Sequence, residues 1–187
     1  RLGFTAAMQD STATLHFTPL KATIAYLPWT FNLDNHVDYD FYTHRLDASL
    51  RAMSNESSIL LETTTDADGG DAVHANLTNI KIQDFLPLIY GAPDVKATVT
   101  SDLNLKYRGR TFSGKGTMDI AGLEYNRQKI QDFSIGFVAD YDMDGNTRAN
   151  ASLLVAGKSV MAVEGIIKAD AESADPNDFT LKLTEFP

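Results

Sequence analysis

A chain of 187 residues that is 43% hydrophobic and 22% charged has a globular composition and is long enough to bury a core within one domain. Its formal net charge of -9 and the lack of a Lys/Arg cluster argue against nucleic acid as a partner. The sequence contains no cysteine, which excludes a disulfide framework, a thiolate metal site and a cysteine nucleophile.

The first third of the chain alternates apolar and polar residues in short runs. Runs at 13–17 and 24–33 indicate strands, the second of them interrupted at Pro28. Residues 37–52 and 59–77 keep the same period of two around a central turn, which predicts two hairpins. The N-terminal part of the chain is therefore predicted to be β-structure.

The period of two stops at Ile80. Apolar residues then crowd together, Asp84 is suited to cap a helix N-terminus, and Pro87 is tolerated in the first turn of a helix. These features predict a short helix over 84–90 that lies across a sheet edge or plugs an open end. The Gly- and Pro-containing stretch 83–93 is the candidate sub-boundary of the chain.

The longest alternation runs over 95–107, where one face of the strand is apolar and the other polar. At about 3.3 Å per residue this strand could extend on the order of 40 Å. The same period recurs at 112–120, 133–141, 149–155, 161–167 and 179–183. Turns between these runs, without long helical spacing, are typical of an antiparallel meander.

We therefore predict an all-β fold, a single curled antiparallel sheet of about a dozen strands. Residues 1–187 form one all-β segment, and its start at Arg1 rather than Met leads us to expect that it is part of a longer chain. A two-sheet sandwich is the alternative, because a sheet with one apolar face has to close, stack or curl.

A phosphate-loop-like sequence, G-R-T-F-S-G-K-G, occupies 109–116. Its last position is Gly116 where the hydroxyl that meets Mg²⁺ is required. A phosphate loop also needs a helix to begin near its lysine, whereas Met118 and Ile120 continue the strand period. We interpret the segment as part of a strand.

Asp140, Asp142 and Asp144 with Gly145 match the first half of a calcium loop. Ala151 stands at the twelfth position, where a bidentate Glu is required. A hairpin turn accounts for these residues, since Asp and Gly are favoured in turns. We predict that they bind no calcium.

No other motif indicates catalysis, a metal or a cofactor. The histidines show neither H-E-x-x-H nor a close pair, and they are His16, His36, His44 and His74. No nucleophile elbow of the form G-x-S-x-G occurs. We predict that the protein is not an enzyme and that it has no catalytic residues, metal site or cofactor.

The later two-thirds of the chain carries four recognisable segments. They are A-N-L-T-N-I-K-I-Q-D-F-L-P-L-I-Y-G at 75–91, G-K-G-T-M-D-I-A-G-L-E-Y at 114–125, K-I-Q-D-F-S-I-G-F at 129–137 and D-F-T-L-K-L-T-E-F-P at 178–187. Together they resemble the TamB/AsmA-like family and, more narrowly, the TamB-type proteins of Bacteroidetes. The resemblance covers roughly 73–187, and the family has no catalytic motif to compare.

The resemblance implies a protein anchored in the inner membrane of a Gram-negative bacterium that crosses the periplasm. The expected fold is a long β-sheet curled into a U-shaped groove with an apolar lining, a β-taco. The implied role is envelope biogenesis, either conduction of phospholipid toward the outer membrane or help in outer-membrane protein assembly beside a BamA/TamA-like barrel.

The residue pattern agrees with a groove that holds phospholipid acyl chains. The inward rows mix Ala, Gly and Ser with large residues, which leaves room, and an acyl chain gains about 0.8 kcal/mol per buried CH₂. The predicted groove lining is Val95, Val99, Leu103, Leu105, Phe112, Met118, Ile120, Phe133, Ile135, Phe137, Leu153 and Val155.

Two alternatives stay open at the level of sequence. The apolar rows could form an ordinary closed core, because any half-buried antiparallel sheet alternates in this way. The chain could also be a secreted β-sandwich module that binds carbohydrate or another ligand, with Trp29 and Tyr26 stacking on sugar rings.

Overall fold

One open antiparallel sheet of fifteen strands makes up most of the computed structural model, which describes residues 2–18, 22–43, 45–65, 71–108, 111–141, 145–168 and 178–184. The sheet is curled and is not closed into a barrel. The predicted all-β meander is therefore confirmed. The two-sheet sandwich is wrong, because the described strands belong to a single connected sheet.

The strands alternate with short turns along the chain. They are β1 (Phe4–Gln9), β2 (Thr12–Phe17), β3 (Ala22–Ile24), β4 (Leu27–Phe31), β5 (His36–Asp40), β6 (Arg45–Ser54), β7 (Ser57–Thr65), β8 (Asp71–Lys81), β9 (Val95–Arg108), β10 (Thr111–Tyr125), β11 (Gln128–Lys129), β12 (Phe133–Tyr141), β13 (Thr147–Val155), β14 (Lys158–Ile167) and β15 (Asp178–Leu183).

Neighbouring strands in the sheet are mostly neighbours in sequence. The order across the sheet is β1-β2-β5-β6-β7-β8-β9-β10-β12-β13-β14-β15, and β11 adds a short pairing to β10. Hairpin β3–β4 leaves this order, and β4 rejoins the sheet only through Thr30 and Phe31, which pair with Met53 and Ala52 of β6. Strands β1 and β15 form the two edges.

Pro28 does not interrupt a strand, contrary to the prediction from sequence. Strand β4 runs through it, and Pro28 pairs with Thr23 in a hairpin whose turn has Ala25 and Tyr26 at positive φ. Proline is tolerated there because β3–β4 is a narrow two-stranded unit in which a missing donor can face away from the ladder. The alternation of apolar and polar residues across Leu27–Phe31 correctly indicated a continuous strand.

A buried asparagine fixes the turn that leads out of this hairpin. The Asn35 side chain, which is 0% exposed, donates to the carbonyls of Phe17 and Asn32 at 2.9 and 2.6 Å. Its Oδ1 accepts from the Phe17 amide at 2.7 Å. The Phe17 and Phe31 rings stack at 5.0 Å beside it. Fully satisfied amide groups of this kind are tolerated in an interior, so Asn35 holds β4 against β2.

The predicted short helix exists but begins earlier. Helix α1 spans Ile82–Phe85 and continues as a 3₁₀ helix over Leu86–Leu88, with Pro87 near its start. Asp84 lies inside α1 rather than at its N-cap, so that prediction is wrong; Lys81 occupies the cap without a side-chain hydrogen bond. The β8 ladder leads directly into α1, which leaves no free position for an Asx cap.

Strand β10 runs without a break through Lys115 and Gly116, as the sequence analysis interprets the phosphate-loop-like segment. Gly109 and Arg110 of that segment lie outside the described residues, as do Asp142 and Asp144 of the calcium-like turn. Strands β12 and β13 flank that turn and pair from Phe133↔Val155 to Tyr141↔Thr147.

Candidate functional site

Cross-strand pairing arranges apolar residues in four rows on one face of the sheet. Directly opposed residues in antiparallel strands point to the same face and lie about 4.5–5.5 Å apart at Cβ. The first row is Ile80, Val99, Ile120, Phe133 and Val155; the second is Ile59, Leu77, Ser101, Met118, Ile135, Leu153, Met161 and Leu183.

The two further rows have the same composition. The third is Leu61, Ala75, Leu103, Gly116, Phe137, Ala151, Val163 and Leu181; the fourth is Thr63, Val73, Leu105, Gly114, Ala139, Ala149, Gly165 and Phe179. We call the surface formed by the four rows the trough. Each row crosses at least five strands, so the trough is a continuous apolar surface.

Ten of the twelve residues predicted to line a groove lie in these rows. Val95 lies past a bulge in the β9–β10 ladder and pairs with Tyr125. Phe112 pairs with Tyr107 and Tyr141 in the backbone register, and its side chain lies outside the described residues. The rows also include members from β7, β8, β14 and β15, which were not among the predicted lining although these strands alternate in the same way.

The trough is only partly buried. Met118 and Phe137 are each 39% exposed, and Leu183 on the edge strand is 72% exposed. Val155, Val73 and Ile80 are buried exceptions at 2%, 5% and 8%. A closed core would bury residues of this size almost completely, so much of this apolar surface is accessible from solvent.

Glycines in the rows let neighbouring large side chains lie flat across the trough. A Cβ at Gly116 would come within 2.7 Å of Phe137 Cε1, and a Cβ at Gly114 within 2.7 Å of Leu105 Cδ2. The Phe179 ring lies over Gly165 in the same way. The small residues that were expected to leave room are thus partly covered by their neighbours, which gives the trough a smooth floor.

A second layer covers one part of the trough. Hairpin β3–β4 and helix α1 pack onto β6, β7 and β8, and we call these two elements the plug. Trp29 is 1% exposed and belongs to a buried cluster with Ala22, Ala52 and Ile80. Its ring lies 6.3 Å from that of Phe85 at an angle of 52°. The plug contains the best-packed apolar contacts in the described chain.

The plug is held mainly by apolar contacts. Gln83 Oε1 accepts a hydrogen bond from the Ala97 amide at 3.2 Å, which ties α1 to the start of β9. The Trp29 Nε1 donor has no hydrogen-bond partner among the described residues. The sequence predicted a short helix that lies across a sheet edge or plugs an open end, but it did not predict that hairpin β3–β4 packs with it, because the contact between Trp29 and Phe85 joins segments that are far apart in the chain.

The opposite face of the sheet is polar and carries a hydrogen-bond network. Asp102 accepts from His74 Nε2 at 2.9 Å and from Asn104 Nδ2 at 2.5 Å, with Asn76 Nδ2 at 3.4 Å. The hydrogen bond from His74 is the main reason that the pKa of Asp102 lies below its ordinary value. These contacts join β8 to β9 behind the trough.

A shallow recess of about 500 Å³ lies beside this network, over the backbone of Gly136. Asp102, Asn104, Lys115 and Asn150 contribute polar groups to its rim. The recess exists because Gly136 has no side chain between Thr117 and Ser152, which flank it in the ladder. Gly116 and Phe137 of the trough rows also line the recess, together with Val138.

Two further observations concern the described ranges alone. Within them, no three His, Asp or Glu side chains come together in a way that could hold a metal ion. No helix described there has the length and apolar character needed to cross a membrane.

Comparison of the chain with protein-family models, with curated proteins and with solved structures found no match. The similarity to the TamB/AsmA-like family therefore stays a prediction from sequence. What the protein does has to be inferred from the trough and the plug.

Proposed function

We propose that the trough binds the acyl chains of phospholipids. In this proposal the chain is a segment of a periplasmic, inner-membrane-anchored envelope-biogenesis protein that holds or conducts those lipids toward the outer membrane. The observation that carries it is the continuity of four apolar rows, in which Met118 and Phe137 are each 39% exposed and most other large side chains stay partly exposed. A soluble protein rarely keeps so large an apolar surface without a ligand or partner.

The dimensions of the trough suit an acyl chain. Four rows spaced two residues apart span about 20 Å along the strands. The hydrocarbon of one leaflet is about 15 Å thick, half of a bilayer core of about 30 Å. A chain of that length can therefore lie along the strands within the trough.

The chemistry of the lining suits transport rather than tight recognition. Each buried CH₂ contributes about 0.8 kcal/mol without a directional contact, so a chain can shift along the surface at little cost. No catalytic residue and no cofactor is needed. The plug covers the trough over β6–β8, which leaves the β9–β15 part as the accessible surface.

Two other functions compete with this proposal. An apolar trough could also hold an unfolded outer-membrane protein segment beside a BamA/TamA-like barrel, since such segments alternate apolar residues as well. A carbohydrate-binding module is less well supported, because Trp29 is 1% exposed and its ring faces cannot stack on a sugar. Tyr26, at 83% exposed, is the ring of that pair that is still accessible.

Site-specific photo-crosslinking in the full-length protein tests the proposal. Phe137 on the trough and Val138 on the opposite face are adjacent and similarly exposed, at 39% and 49%. We expect a benzoylphenylalanine at 137 to capture phospholipid in the cell envelope and the same residue at 138 to capture none. Equal capture at both positions, or none at 137, would refute acyl-chain binding. Capture of protein alone at 137 would favour the assembly role.

A further inference from the structure

The insertion between β8 and β9 ends in three consecutive apolar residues that face solvent. Leu88 and Ile89 are 59% and 61% exposed, and Tyr90 is exposed at 106% of its reference area. We call residues 88–90 the tip. Apolar side chains are common singly on surfaces, but an exposed run of three is unfavourable unless it meets a partner.

The fold itself does not need the tip. Phe85, at the end of α1, supplies the ring that packs on Trp29. Beyond it the chain is held by its own backbone, with the Ile89 amide bonded to the Leu86 carbonyl at 2.9 Å and the Ala92 amide to the Ile89 carbonyl at 3.2 Å. Gly91 then reverses the chain at a φ of +72°. The three side chains are exposed on this tight turn, and Ile89 also borders a recess formed by the insertion.

The surroundings of the tip match the boundary between water and lipid. The Asn126 amide donates to the Asp94 carbonyl at 2.9 Å, which brings the β10–β11 turn next to the base of the insertion. Arg127 on that turn and Lys129 in β11 are exposed, and Ile130 after β11 is 47% exposed. Aliphatic side chains with a tyrosine and nearby cationic side chains form the combination found at bilayer interfaces.

We propose that the tip inserts into the surface of a phospholipid bilayer. A single turn with three apolar side chains offers a folded protein little area, well below the roughly 800 Å² that each partner buries in a stable interface. A bilayer needs no complementary shape, and it accepts aliphatic side chains and the tyrosine ring to a depth of about 5–10 Å.

The charges of the chain indicate whether the tip prefers zwitterionic or anionic phospholipid headgroups. Asp84 and Asp94 flank the tip, and Arg127 and Lys129 lie on the neighbouring turn and in β11, so these four charges balance. The whole chain has a net charge of -9, which an anionic membrane surface repels. The tip is therefore expected to prefer a zwitterionic phosphatidylcholine surface. This inference does not depend on the trough, because the tip residues lie outside its four rows.

Vesicle flotation of the 187-residue chain tests the inference, with Ile89→Asp as the variant and Leu33→Asp as the matched control. Leu33 is 82% exposed on the turn between β4 and β5. We expect Ile89→Asp to weaken partition into phosphatidylcholine vesicles by about tenfold or more, the effect of losing one inserted aliphatic side chain. Leu33→Asp should float like the unmodified chain. An equal loss in both variants, or no flotation of the unmodified chain, overturns the proposal.

Two further experiments distinguish binding through the tip from binding through the trough and from electrostatic binding. Leu103→Asp alters the trough and reports whether the trough contributes to flotation; loss of flotation in that variant but not in Ile89→Asp would mean that the trough, not the tip, holds the chain on the vesicle and would overturn the proposal. Adding phosphatidylglycerol should weaken binding at low salt, and raising the salt should restore it. Stronger binding to the anionic vesicles that salt abolishes would contradict apolar insertion. Cooperative thermal unfolding transitions confirm that the variants are folded.

Discussion

The plug and the open part of the trough have the same sequence pattern and different environments. Ala52 under the plug is 3% exposed, whereas Phe137 in the open part is 39% exposed, although both belong to apolar strand faces with a period of two. The difference lies in the second layer, which is present over β6–β8 and whose buried cluster does not extend to β12–β15. Alternation identifies an apolar face; whether that face becomes a core depends on what packs against it.

The two regions are also stabilised differently. The plug buries the Trp29 ring against the partly buried Phe85 ring, between a hairpin and a helix, and contacts of this type contribute several kcal/mol in protein cores. The open trough depends on strand ladders and on large side chains that lie over Gly114 and Gly116. We therefore expect mutations to have larger effects on stability under the plug than in the trough.

Matched aspartate substitutions give the largest expected difference between the regions. Ala52→Asp places an unpaired carboxylate beneath Trp29 and should lower the free energy of unfolding by about 3–5 kcal/mol, a large part of typical domain stability. Ala151→Asp lies beside the exposed Phe137 ring, where the carboxylate can stay hydrated, and should cost about 1–2 kcal/mol. Urea denaturation at pH 7 measures both values. Equal losses would mean that the trough is a sealed core.

A pair of glycine substitutions tests the packing of the trough floor. A Cβ at Gly116 would lie 2.7 Å from the Phe137 ring and 3.0 Å from the Asp102 carbonyl, so Gly116→Ala should lower stability by about 1 kcal/mol. On the polar face, a Cβ at Gly136 would meet only Ser152 Oγ at 3.4 Å.

Gly136→Ala serves as the control and should be neutral or stabilising by up to about 1 kcal/mol, because alanine restricts the unfolded chain. Thermal melts of both variants measure the effect. A Gly116→Ala variant as stable as Gly136→Ala would show that Phe137 moves aside freely and that the trough floor is not packed.

The smallest expected effect concerns the polar network behind the trough. Because the hydrogen bond from His74 lowers the pKa of Asp102 below its ordinary value of 3.8, ionised Asp102 stabilises the fold above that value. This stabilisation is lost as the pH falls through the lowered pKa. Asp102→Asn should therefore cost less than about 1 kcal/mol at pH 7, since the pair is largely exposed, and nothing below the lowered pKa.

Melting temperatures from pH 7 to pH 2 measure this dependence. In a His74→Gln background the effect of Asp102→Asn should shrink, because the main partner of the carboxylate is gone. A difference between Asp102→Asn and the parent that is independent of pH would indicate a packing effect instead of an electrostatic one.

Sequence reasoning predicted the strands well where the alternation was long. Strand β9 was expected over 95–107 and is observed over Val95–Arg108, because a two-residue period over many residues leaves one way to place the apolar face. The short helix was predicted too far along the chain, since several residues after Lys81 could begin it equally well. Helix ends depend on local capping, and here no side chain provides a cap.

The site was predicted only in part, because the sequence identifies the apolar face of a strand but not how exposed that face is. Membership of an apolar face is a local property, so Leu103, Ile135 and Phe137 could be assigned to the same side of their strands from sequence. Their exposure could not, because it depends on which segments pack over them. Trp29 illustrates the limit, since sequence alone offered it as an exposed ring and the structure buries it.

The sequence by itself determined that this chain is an antiparallel sheet with one apolar face, because side-chain direction in a strand follows residue parity. Only the tertiary structure decided which part of that face becomes a core. That choice depends on the contact between Trp29 and Phe85, which brings a hairpin and a helix from distant parts of the chain together over β6–β8. Non-local packing of this kind leaves no periodic signal in either segment.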